Sequence, residues 1–242
     1  MNVTSLRRRA DTANVFTSAE HAIEARRAHS LVSICQMEIE RMILDADLEM
    51  GARINELALA ARLGISRGPV REACRSLVQA GLLETRANRG FFVRRLTQKE
   101  VVDLYDLRAG LMHLAGELVA RNATAEQLAN LREMVNAMDA ARIEGDIERF
   151  QNINAEFHAA LVTATDNRRL DEVYRGLANE SRLFRRRGLV SAGAMESSNR
   201  EHRAIVDAIA SRDAARAAAT MENHILQGKA RFLSAAVDEI GD

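Results

Sequence analysis

The stretch Glu56-Leu-Ala-Leu-Ala-Ala-Arg-Leu-Gly-Ile-Ser-Arg-Gly-Pro-Val-Arg-Glu-Ala73 constrains this chain more than any other. It reads as two helices joined by a tight turn. Leu57, Ala60 and Leu63 recur at helical spacing, as the candidate buried face of a short helix over Asn55–Leu63. Gly64 stands where a left-handed helix stop belongs. Ser66 is placed to cap the following helix. Pro69, the single proline among 242 residues, falls in that helix's first turn, where a missing N–H is harmless. Val70, Ala73, Cys74 and Leu77 form the apolar stripe of this second helix, which runs to about Ala80. Arg67, Arg71 and Arg75 are spaced i, i+4, i+8 and share the opposing face.

The flanking segments complete a pattern. An amphipathic helix is expected from His29 to Leu48, on Leu31, Val32, Ile34, Cys35, Ile39, Met42 and Ile43. Gly81 ends the arginine-bearing helix. Extended segments follow near Leu82–Thr85 and Phe91–Arg94, joined by the turn sequence Ala87-Asn88-Arg89-Gly90. Helix, helix, turn, helix, hairpin is the order of a winged helix-turn-helix. Residues 53–95 hold nine Arg against three Glu, a basic patch in a chain whose net charge is zero. Arginine can take a guanine bidentately or clamp a phosphate. A solvated basic face is the alternative, but turn, cap, stripe and hairpin agree in order and favour double-stranded DNA. Ser66, Arg67, Arg71, Arg75, Arg89 and Gly90 are the candidate DNA-binding residues.

Beyond Leu96 the strand signal disappears. Thr97–Glu100 and Thr124–Gln127 are capping boxes. Gly145-Asp146 and Asp166-Asn167 mark further turns. Helices are expected to about Asn122, about Thr165, over Leu170–Arg187, Met195–Ser211 and Asp213–Ile240, with Gly188–Gly193 as a loop. Together with the helix that Thr124 opens, these make six with short connections, an antiparallel bundle. The expected fold is mainly α: a polar arm at 1–27, the winged helix-turn-helix at 28–95 and an all-helical domain at 96–242. Cys35 and Cys74 show no CxxC spacing and read as reduced thiols. No apolar run approaches a membrane span, and Arg7-Arg8-Arg9 is followed by no apolar signal core, so a cytoplasmic protein is expected.

Three of the six histidines stand on different helices of the bundle: His158, His202 and His224. Asn154 lies four residues before His158 and shares its face. Imidazoles converging inside a bundle would hold Zn²⁺, Ni²⁺ or Mn²⁺. Spacing leaves open the alternative of three separately satisfied core histidines. No Asp or Glu pairs evidently with them, although Glu156 is near in sequence. Arg185-Arg186-Arg187 reads as a solvated helix end, and His21 and His29 carry no assigned role.

Gly64-Ile-Ser-Arg-Gly-Pro-Val-Arg-Glu-Ala73, then Gly81-Leu82-Leu83 and Arg89-Gly-Phe-Phe-Val93, resembles the GntR family of bacterial regulators over about residues 30–95. The resemblance implies that Arg67 and Arg71 contact DNA, that the wing enters the minor groove, and that a homodimer reads a short palindrome. Gly68 replaces a usual Thr, Met50 a usual Pro, and Cys74 a larger apolar residue. Residues 97–240 are similar to the FCD effector domain of the FadR-type branch. That likeness implies a divalent metal held by an acid and three histidines, matched here by His158, His202 and His224, with Asn154 where Asp is common. It implies that the metal helps to hold a small carboxylate. Arg108 matches a family arginine near the pocket and would pair with a ligand carboxylate or with a carboxylate of the bundle. His113, about a turn on, is a further candidate lining residue.

The expected function is a transcriptional regulator, a repressor by preference, whose operator affinity responds to an organic acid. A metal-sensing regulator is the first alternative, although Arg108 in the pocket argues against it. A metal-dependent hydrolase is the second, and it leaves the N-terminal head unexplained.

Overall fold

The computed structural model of the chain describes residues 30–43, 47–183 and 193–238. The expected arm, His21, His29, Arg185–Arg187 and most of the expected Gly188–Gly193 loop lie outside them. The described residues are mainly helical, with nine helices and one two-stranded antiparallel sheet. The chain divides into two compact units, Met1–Arg94 and Arg95–Asp242. None of the described helices is long and apolar enough to cross a membrane.

In the first unit, α1 (30–43) precedes α2 (Glu56–Leu63) and α3 (Arg67–Gln79). The first helix does not reach Leu48, whose N–H bonds to the Met42 carbonyl at 2.9 Å. The Asn55 side chain caps α2, accepting from the Ala58 N–H at 3.0 Å. Gly64 stops α2 at φ +66, and Ile65 N–H reaches back to the Ala60 carbonyl at 3.0 Å. A side chain at this φ would strain the stop. The expected buried face of α2 is corrected: Leu59 and Ala60 are buried, and Leu57 is 65% exposed. At 100° per residue Leu57 points away from Leu59, and eight residues are too few for the pattern to choose a face. In α3 the stripe Val70, Ala73, Cys74 and Leu77 is buried, as the periodicity predicts.

Strands β1 (Leu83–Arg86) and β2 (Gly90–Val93) pair with Leu83 opposite Val93 and Arg86 opposite Gly90. Both lie within a residue of the expected segments. Arg89 N–H bonds to the Arg86 carbonyl at 3.0 Å across the turn, with Asn88 at φ +57. A further pairing was not read from the sequence. Val93 N–H donates to the Ala52 carbonyl (2.8 Å) and Ile54 N–H to the Phe91 carbonyl (2.9 Å), so the segment before α2 edges the wing. Three residues carry no period-two signal.

The second unit is a bundle of α4 (Gln98–Asn122), α5 (Ala125–Glu144), α6 (Ile147–Thr163), α7 (Arg168–Arg182), α8 (Ala194–Ala210) and α9 (Ala214–Asp238). Both capping boxes form, at Thr97/Glu100 and Thr124/Gln127. Asp146 caps α6 and Asn167 caps α7. The core gathers Phe150, Phe157, Tyr174, Met138 and Ile205, all nearly fully enclosed. Helices α4 and α9 approach so closely that a Cβ on Gly116 would lie 2.6 Å from Ala218 Cα. Arg212 donates to the carbonyls of Ala120 (3.2 Å) and Ala123 (2.7 Å), closing the end of α4.

Candidate functional site

The buried stripe of α3 leaves Arg67, Arg71 and Arg75 exposed on the other side. Arg67 lies 4.0 Å from Glu56, and Arg75 pairs with Glu72 one turn earlier. Ser66 occupies the cap position with extended φ/ψ, but its hydroxyl makes no cap hydrogen bond. The backbone position follows from the sequence, whereas the hydroxyl rotamer is not a local property. Arg89 is exposed at the tip of the hairpin beside Gly90, which has φ +92. Burial, with the charges of Glu56 and Cys35 adding, pushes the Cys74 thiol up to about 12. It fills the core as a small apolar group.

In the second unit, His158 on α6, His202 on α8 and His224 on α9 converge. All three are buried, and one ring nitrogen from each lies within 4.8 Å of the others. Burial pushes His202 well below the ordinary imidazole value, with His224 and Arg231 adding to it. Burial also lowers His224 and outweighs the opposing pull of Glu201. His224 Nδ1–H donates to Glu201 Oε2 at 2.7 Å, which leaves Nε2 as the lone-pair nitrogen, 3.1 Å from His158 Nε2. Glu201 is gripped in turn by Arg231 at 2.6 and 3.0 Å. This corrects the expectation that no acid pairs with the histidines: Glu201 does, and exposed Glu156 does not. The pairs are 23 and 30 residues apart and carry no local signal.

These residues fit a metal. Both ring nitrogens of His202 and Asn154 Oδ1 are buried without hydrogen-bond partners among the described residues. A tetrahedral ion about 2.0–2.1 Å from each nitrogen needs them roughly 3.4 Å apart, within reach of small ring rotations. The Glu201–His224 bond is the outer contact that orients a ligating imidazole.

Arg108 of α4 is 4% exposed. The aromatic faces of Tyr105 and Tyr174 flank it, with its guanidinium carbon 5.8 and 6.0 Å from their centroids. Its Nη2 donates a long 3.5 Å bond to Tyr174 Oη, and its Nε is buried without a partner among the described residues. No carboxylate among the described residues pairs with it. The half-exposed ring of His113 bonds to Glu222 at 2.8 Å. Gln151, which the sequence reading passed over, lies three and seven residues before Asn154 and His158. It shares their face of α6, and its Nε2 is buried without a partner.

Comparison with known proteins follows the same division. Residues 36–93 match the gntR family of bacterial regulatory proteins, and residues 103–227, more than half of the chain, match the FCD domain. The chain belongs to the GntR family and carries an FCD domain. It is 35% identical over 177 residues to the Nta operon transcriptional regulator of Aminobacter aminovorans, covering 72% of this chain and 81% of that one. It is 33% identical over 186 residues to a probable D-xylose utilization operon transcriptional repressor of Paenarthrobacter nicotinovorans, covering 76% and 80%. The fold is also that of Escherichia coli McbR/YncC, with a TM-score of 0.74 at 22% identity over 84% of this chain and 97% of that one. This GntR-family chain is therefore a transcriptional regulator, as are the families and relatives that it matches.

Proposed function

We propose that the chain is a homodimeric, ligand-responsive repressor of the bacterial cytoplasm. Its operator is a short palindrome, met by Ser66, Arg67, Arg71 and Arg75 of the recognition helix and by Arg89 and Gly90 of the wing. Its effector is a small organic acid, taken up in the helical domain beside a divalent ion held by Asn154, His158, His202 and His224. The ion would supply a Lewis-acid anchor for a carboxylate oxygen. Arg108 would orient the acid by charge-assisted hydrogen bonds.

The observation that carries this reading is Arg108: a buried guanidinium with no carboxylate partner among the described residues, in the same bundle as three buried histidines whose ring nitrogens converge. An unpaired buried charge is costly, and a ligand anion is the natural compensation. A sensor of the metal alone would gain nothing from a cation there. Leu107 and Leu114, exposed and one heptad apart on α4, offer a second copy an apolar contact. The repressor sense is favoured by the Paenarthrobacter relative's name. The test is an operator-binding titration with the metal alone, with carboxylates alone and with both. Carboxylate-dependent release of operator that disappears in Arg108→Gln supports the reading. Full release by the metal alone would refute it in favour of a metal sensor.

A further inference from the structure

Residues 53–95 hold three acids, and two of them are matched by a near neighbour in sequence: Glu72 pairs with Arg75, and Glu84 with Arg86. The third is placed differently. Glu56 opens α2, its side chain is 13% exposed, and its Oε2 is buried with no hydrogen-bond partner among the described residues. Its carboxylate meets two other elements of the winged head. Oε2 lies 4.0 Å from Nη2 of Arg67, the first residue of α3, whose side chain is 61% exposed. Oε1 lies 3.8 Å from where a Cβ on Gly90 would stand, at the start of β2. The thiol of Cys74, inside α3, feels the same charge. An acid in the first turn suits the dipole of α2 from any exposed rotamer. That alone does not turn the carboxylate inward against α3 and the wing, where lost hydration is costly.

An arginine on a basic face can lie against any phosphate, a contact that carries no sequence information. To take a guanine it must present its planar fork to the base edge. We propose that Glu56 is a positioning residue for sequence discrimination: its enclosed carboxylate, seated between α3 and the wing, holds the Arg67 guanidinium toward the bases and away from the phosphates. The same negative charge repels the backbone of every duplex, whereas the gain from an oriented Arg67 comes only with the right base. Specificity is such a difference of affinities, and a repulsive group can supply part of it. The inference rests on the reading of Arg67 as a DNA contact and adds what directs it.

The experiment uses full-length protein and two labelled duplexes: one that the wild type selects from a random-sequence pool, and a scrambled duplex of the same composition. Fluorescence anisotropy over a range of KCl gives both affinities for wild type, Glu56→Gln, Glu56→Asp, Arg67→Ala and the double variant Glu56→Gln with Arg67→Ala. Glu56→Gln should bind the scrambled duplex at least as tightly as wild type does. Its preference for the selected duplex should fall by about threefold or more, the scale of a partly exposed ion pair. Its slope of log affinity against log salt should steepen by up to about one, as the freed arginine takes a phosphate. Glu56→Asp keeps the charge at the start of α2 but withdraws it by one methylene, and should lose preference without losing thermal stability. In the Arg67→Ala background, Glu56→Gln should change the preference no further. A Glu56→Gln protein that melts earlier and binds both duplexes proportionally more weakly, with the salt slope unchanged, would make the residue merely structural and overturn the proposal. So would additive losses of preference in the double variant. Arg67→Ala with the full wild-type preference would refute the DNA contact itself, and the positioning role with it.

Discussion

Gly116→Ala should destabilise the helical unit, although the same change elsewhere on the same helix should stabilise it. A Cβ at position 116 would meet Ala218 Cα at 2.6 Å, the Ala217 carbonyl oxygen at 2.7 Å and Ala218 N at 2.7 Å. All three are backbone atoms of α9 and cannot swing aside. Ordinary carbon contacts need about 3.5–4.0 Å, so α9 must retreat by roughly 1 Å. Overpacking of this kind costs about 1–3 kcal/mol, and a rigid backbone neighbour places it near the top of that range. Alanine returns about 1 kcal/mol of helix propensity over glycine. The net loss is then about 2 kcal/mol, or a fall in Tm of roughly 4–8 °C for a unit of this size. Gly110, also on α4, has nothing within 4 Å of its would-be Cβ. Gly110→Ala should therefore gain up to about 1 kcal/mol. Thermal and urea unfolding followed by circular dichroism compare the two variants on the same unit, which avoids treating the two-unit chain as two-state. Equal stability of Gly116→Ala and wild type would refute the close approach of α4 and α9. The approach matters for function because α4 carries Arg108 and α9 carries His224 and Arg231.

Other expectations follow from particular contacts. Arg71→Ala should weaken operator binding by about 1–3 kcal/mol if it reads a base, measured by fluorescence anisotropy at fixed salt; unchanged affinity would remove it from the interface. Glu201 is pushed up by burial, but the hydrogen bonds and charges of His224 and Arg231 outweigh this and hold it at about 2, against an ordinary 4.5. Its contribution to stability is complete above about pH 4.5 and is lost as the pH falls toward 2. Glu201→Gln should flatten that limb of a stability–pH curve, and an unaltered limb would deny the pairing. His202 has its folded value depressed by burial, so the unfolded chain binds the extra proton and stability falls below about pH 6.5. His202→Gln should shrink the loss between pH 7 and 5 in urea titrations. If the proposed dimer uses Leu107 and Leu114, Leu107→Glu with Leu114→Glu should lower the mass seen by light scattering relative to wild type at equal concentration; an unchanged mass would place the contact elsewhere.

What the sequence disclosed was what local physics controls. The Thr97 and Thr124 caps, the Gly64 stop and the α3 stripe depend on residues within seven positions of one another, and each was legible. Leu57 misled because an eight-residue helix holds too little period to fix its face. The three histidines could be named because they recur on separate helices and resemble a family pattern, but their convergence is a tertiary fact. Glu201, Arg231 and Tyr174 were not legible, since their partners lie 23, 30 and 66 residues away. Gln151 could have been found. Its spacing to Asn154 and His158 is helical, and extending the face one turn back from the metal candidates would have reached it.

The same site explains a thermodynamic oddity of the bundle. Arg108 Nε, Gln151 Nε2, Asn154 Oδ1 and both nitrogens of His202 are buried without partners among the described residues. Each such atom costs about 1–3 kcal/mol. Chance would scatter these vacancies, whereas four of them lie on the histidine cluster and its α6 face, and a fifth belongs to the buried arginine whose charge reaches it. A fold can retain that much unsatisfied polarity at one place if something that binds there removes the cost. The helical unit should then be the more ligand-sensitive of the two. Its stability should rise by RT ln(1 + [L]/Kd), about 2.7 kcal/mol at a hundredfold excess over Kd. The winged head should be unmoved by the same ligand, since the five atoms named all lie in the helical unit. A melt in which metal and acid raise only the helical unit's transition would express that division, and equal shifts in both would place the binding energy somewhere other than the histidine cluster.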